Sequence, residues 1–191
     1  SNLLYKDNQL APIFYLCAML KDFKPVLLIL LRFALIYLAL FLLYQWYLNH
    51  SEPFGLDPFS RWLAVQVQGL QNALGFPTEL RHFPKELTEY FYISGKPISR
   101  MVEGCNAVSV MILFAAFVFS FYKGFKTFLF IIGGIVFLHV MNIFRIAGLN
   151  LVLSELPQYG KITHDYLFPA VIYGLVVVLW LIWIQKFALK K

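Results

Sequence analysis

Long apolar runs separated by short polar connections set the architecture expected of this chain. Four of them are long enough for membrane-crossing helices, over about 25–47, 105–122, 127–153 and 165–187. The run 9–20 is too short to cross and is expected at the membrane interface. The polar stretch 49–104 is too long for a simple loop. Within it Leu63, Val67, Leu70 and Leu74 recur at helical spacing, with Asp57-Pro58 as a start signal and Gly75 as a stop. This predicts an amphipathic helix, either lying on the outer leaflet or packed inside an outer cap. After it, Tyr90 to Val102 alternates β-formers around Ser94-Gly95-Lys96, which predicts a short β-hairpin. The expected fold is therefore an all-α integral membrane protein of about four transmembrane helices, with that outer-face helix and hairpin.

Composition supports this class. Hydrophobic residues make up 60% of the 191 and charged residues 14%, well below the charge of an ordinary soluble domain. One membrane-embedded domain over 25–187 is expected, preceded by a cytoplasmic segment 1–24 and followed by a basic tail 188–191. Ser1-Asn2 reads as an appended scar, and Met19 as a natural start. No cleavable signal peptide is read.

The net charge of +6 raises the question of nucleic acid, but the basic residues flank apolar runs instead of forming a groove. Lys21 and Lys24 precede the first run, Lys123 and Lys126 join the second to the third, and Lys186, Lys190 and Lys191 follow the fourth. Seven acids, from Glu52 to Glu155, fall in the opposite connections. By the positive-inside rule both termini face the cytoplasm, and 49–104 and 154–164 face outward. The chain is expected to reside in a membrane with this N-in, C-in orientation. Arg32, within the first run, is close enough to its inner end to snorkel. Cys17 and Cys105 fall on opposite sides, so both are expected as free thiols.

Ionisable residues inside a membrane run are costly. His139, Asn142 and Arg145 recur every third residue, which puts them on one helical face. Arg145 lies about 18 residues beyond Thr127, or about 27 Å, which is near the outer boundary. Alone, it reads equally well as an interfacial anchor. His139, the deepest, reads more readily as a hydrogen-bonded packing residue than as part of a site. Cys105 sits at the outer start of the second run, where unsatisfied helix N–H groups favour an anion. His164 opens the fourth run, and an imidazole both accepts and donates protons near neutral pH. Each residue alone has an ordinary structural explanation. Together, Cys105, Arg145 and His164 supply a thiol, a cation and a proton carrier at one boundary, the parts of acyl transfer. No ligand-spaced cluster suggests a metal, and no cofactor motif is read.

Three segments resemble the exosortase/archaeosortase family: Glu103-Gly-Cys-Asn-Ala-Val108, Asn142-Ile-Phe-Arg145 and His164-Asp165. The residues around Cys105 and the small size are most similar to the F-type exosortase subgroup. Additional spans of larger members are missing from this pattern. The resemblance implies a membrane cysteine transpeptidase or protease with Cys105, Arg145 and His164 as catalytic residues. Asn142, Asp165 and His139 are supporting candidates. The implied substrates are secreted proteins with a C-terminal tail of short motif, transmembrane helix and basic cluster, cleaved through a thioester and released to an acceptor nucleophile. The lipid bilayer is the other implied partner, and nucleic acid is not. Two other readings remain: a non-catalytic helper or structural component of a secretion or surface-assembly system, and a small transporter. Transport would place polar residues near the midplane, on several helices.

Overall fold

A computed structural model describes residues 4–188, with side-chain surroundings from residue 23 onward apart from Phe54. The expected interfacial position of 9–20 and the thiol of Cys17 lie outside those described side chains. The chain is mostly helical. Helix α1 (Leu4–Ser51) leads into α2 (Pro58–Ala73). Strands β1 (Thr78–Phe83), β2 (Thr88–Ile93) and β3 (Lys96–Met101) follow. Helices α3 (Val108–Ser120) and α4 (Phe125–Glu155) come next. A C-terminal helix, Pro157–Ala188, ends the described chain and contains two π turns.

Among the described residues, three helical stretches are long and apolar enough to cross a membrane: Phe23–Ser51, Phe125–Glu155 and Pro157–Ala188. Their outward faces carry exposed leucine and valine, including Leu31, Leu35, Leu42 and Val177, as lipid contact requires. The second expected span is shorter than its apolar run. At 13 residues α3 is about 20 Å long, less than the hydrocarbon core. Its start is delayed because Ala107 takes a left-handed conformation (φ 60°) and the Asn106 side chain accepts the Val108 N–H at 2.9 Å. Cys105 therefore lies in a 3₁₀ turn ahead of the helix, not in its first turn.

The hairpin is part of a three-stranded antiparallel sheet in the order β1-β2-β3, so the molecule is not all-α. Ser94 and Gly95, both at positive φ, make the tight turn between β2 and β3. The sequence pattern hides β1 because Glu79, Arg81 and His82 interrupt its apolar alternation. They can do so because most of the strand is solvated.

Two apolar clusters meet along α4. One joins Met111, Phe114 and Val118 of α3 to Ile131 and Leu138 of α4 and to Val176 and Trp183 of the C-terminal helix. It packs the short helix α3 between two helices long and apolar enough to cross a membrane, and in lipid such helices are held together by close packing and not by exclusion of water. The other joins Leu63, Ala64 and Val67 of α2 to Phe91, Met101, Ile146 and Ala147. Helix α2 is thus a packing helix between the sheet and α4. Asp57 caps it by accepting the Ser60 N–H at 3.0 Å, with Pro58 in its first turn. Its buried face, Ser60, Leu63, Ala64, Val67 and Gln71, is rotated from the expected leucine stripe, and Leu74 is exposed.

Candidate active site

Cys105 packs half-buried against the second cluster, in the connection between the sheet and α3. The position of that connection is set by Asn106, which is only 2% exposed. Its amide donates to Tyr44 Oη of α1 at 2.8 Å and to Ser60 Oγ of α2 at 2.9 Å, while its oxygen holds the start of α3. Tyr44 in turn donates to Glu103 at 3.2 Å. One buried asparagine therefore ties the cysteine turn to three helices. A buried amide with both ends satisfied fixes geometry, because any displacement leaves polar atoms without partners.

The other side of the turn is held by α4. Asn142, fully buried, donates to the Cys105 carbonyl at 3.0 Å, and Arg145 Nη2 donates to the same oxygen at 3.3 Å. Both residues thus contact the cysteine's main chain. This takes one N–H of the guanidinium and leaves the rest of its five-donor fork available. Further along α4, buried Asn150 accepts from Ser99 Oγ of β3 and donates to Gln71 of α2 at 3.3 Å.

His164 stands on the C-terminal helix in the π turn Thr163–Leu167, a distortion often found at functional sites. Its Nδ1 is 2.8 Å from Asp165 Oδ1. With Nδ1–H donating to that carboxylate, Nε2 is left as the acceptor. Both side chains are exposed, so this contact steers the ring without adding appreciable stability.

A cavity of about 760 Å³ opens between β3, the cysteine turn, α4 and the C-terminal helix. Cys105, Arg145, His164 and Asp165 all line it, together with Arg100 and Lys161. Asn142 lies behind Cys105. His139 is elsewhere: its Nε2 is 2.7 Å from Gln66 Oε1, and its ring stacks on Trp62 at 4.9 Å, so it fastens α4 to α2 and takes no part in the cavity.

Sequence reasoning passed over Asn150, Tyr44 and Ser60, and it met Asn106 only as part of the segment around Cys105, without a role. Asn150 had a signal, since it lies eight residues after Asn142 and so on the same side of the helix. Tyr44 and Ser60 had none, because their partner is 62 and 46 residues away in the chain. Among the described residues no group of His, Cys, Asp and Glu is arranged to hold a metal ion, and Cys105 is a free thiol. The chain matches no protein-family model, no curated protein and no solved structure.

Proposed function

We propose that this protein is an exosortase-like membrane cysteine transpeptidase or peptidase that processes C-terminal tails of secreted proteins at the outer face of a bacterial inner membrane. The observation that carries this reading is the shared cavity, which unites Cys105, Arg145 and His164 from three separate elements. In the reaction, His164 Nε2 takes the Cys105 proton, and the thiolate attacks the scissile carbonyl carbon. The carbonyl oxygen becomes an oxyanion, stabilised by guanidinium N–H groups of Arg145 not engaged on the Cys105 carbonyl. The C–N bond breaks as His164 returns its proton to the departing amine, leaving a thioester on Cys105. An acceptor nucleophile then loses its proton to His164 and attacks the thioester. The C–S bond breaks, and the thiolate is regenerated. Asn142 keeps the cysteine turn at fixed depth, and Asp165 holds the imidazole in the tautomer that this sequence needs.

The test is to trap the acyl-enzyme. With acceptor limiting, a tailed secreted protein from the same cell should form an adduct with the enzyme at the summed mass. Neutral hydroxylamine should release it, and peptide mapping should place the link on Cys105. Cys105→Ala should end processing while the protein accumulates normally. Continued processing by a stably accumulated Cys105→Ala variant would leave this protein as a non-catalytic helper.

A further inference from the structure

The cavity touches Ile98, Ser99, Arg100, Met101 and Val102, five consecutive residues. Successive side chains of a strand point to opposite faces. A cavity resting on one face would meet every second residue, so this one runs along the edge of β3 and borders its main chain. β3 is an outer strand of the sheet.

The pairing shows which main-chain groups face that edge. Ile93 and Lys96 flank the two-residue turn and so exchange both hydrogen bonds. Alternation along β2 then makes Phe91 and Glu89 the next residues bonded to β3. Arg100, opposite Tyr90, consequently points its N–H and C=O away from β2. Pro97, opposite Tyr92, falls in the same outward phase, where its missing N–H costs the ladder nothing. Among the described residues, no hydrogen bond from outside the ladder reaches the main chain of Arg100.

Edge strands are normally protected by lysine, proline or a bulge. Here Lys96, Pro97 and the irregularity opposite Phe91 and Tyr92 all cluster at the turn end. The irregularity reaches as far as Ser99, and beyond it the Arg100–Met101 end, which leads to Cys105, has no lysine, proline or bulge, only the charged side chain of Arg100, which itself lines the cavity. An unpaired strand edge in a cavity is a receptor for another strand.

We infer that β3 binds substrate by strand addition: an extended peptide pairs through its main chain with the Arg100 edge, and this pairing carries its scissile bond to Cys105. This deepens the proposed peptidase function and rests on Cys105 being the nucleophile. Main-chain pairing supplies affinity without regard to sequence, so short alanine peptides suffice as probes.

The full chain in detergent micelles is alkylated with acetyl-tetraalanyl chloromethyl ketone and with its one-alanine analogue, and the rate of Cys105 modification is followed by mass spectrometry. The longer reagent should react about tenfold faster or more. N-methylation of single alanines should slow it about fivefold at alternate positions and leave the others unaffected, the effect of losing one net hydrogen bond. In the adduct with the longer reagent, amide exchange at Arg100 should slow by about tenfold relative to the adduct with the shorter one. Equal rates for the two reagents, N-methyl sensitivity without a two-residue period, or unchanged exchange at Arg100 would each overturn strand addition. The nucleophile fails separately: retained tail processing by Cys105→Ala, alongside the alternating pattern in the parent protein, would remove the catalytic role and keep the strand site.

Discussion

Arg145 meets the Cys105 carbonyl with one nitrogen and has the rest of its planar fork to offer a substrate oxygen. An ammonium can supply charge at that place, but not two directed donors from a rigid plane. Arg145→Lys should therefore lower the rate of tail processing by about 100-fold or more, the usual cost of losing an oxyanion donor, and nearly as much as Arg145→Ala. Rates measured at matched protein levels check this, and near-normal activity of the lysine variant would reduce Arg145 to an anchor. At this scale Cys105, Asn142, Arg145 and His164 were legible in the sequence because polar groups in apolar runs need a reason. The role of Asn106 was not, although it fixes the turn, because its partners come from α1 and α2 and only the fold brings them together.

At the scale of elements, α3 and α4 approach closely because residue 134 has no side chain. A Cβ on Gly134 would lie 2.3 Å from Cζ of Phe114, which is fully buried and has nowhere to go. Gly133, one position away, faces open space. Gly134→Ala should destabilise the protein by about 1–3 kcal/mol through overpacking. Gly133→Ala should be neutral or slightly stabilising, since alanine favours a helix. Thermal unfolding of both variants in the same detergent tests the pair, and equal shifts would contradict the crossing described. Helices are the elements whose existence the apolar runs predict well. Their ends are less legible: α3 loses its expected first turn to a single left-handed residue, Ala107. β1 escapes prediction because a solvated strand has little apolar alternation to display.

For the molecule as a whole, the distribution of lysines and acids predicts that the sheet lies outside and the α3–α4 connection inside. Two exposed positions can report this in a background without native cysteines, Glu79→Cys on β1 and Lys123→Cys between the helices. A membrane-impermeant maleimide should modify Glu79→Cys in intact spheroplasts and Lys123→Cys only after permeabilisation. The reverse pattern would place the cavity on the cytoplasmic face and end the sorting-tail proposal. The sequence shows the membrane class through its apolar runs. It conceals how the segment 49–104 folds back onto α4, because that contact depends on buried amides with partners distant in the chain.

That contact bears on how the protein is made. Helix α4, long and apolar enough to cross a membrane, carries His139, Asn142, Arg145 and Asn150, and any of these at membrane depth would, without a partner, face hydrocarbon at a cost. Their partners are Gln66, the Cys105 carbonyl, Ser99 and Gln71. Every one precedes α4 in the chain, so a ribosome has already delivered all of them when α4 leaves it. The segment 58–105 can serve as an acceptor waiting for the helix, and α4 can exchange the aqueous translocation channel for that surface without ever showing its polar side to lipid.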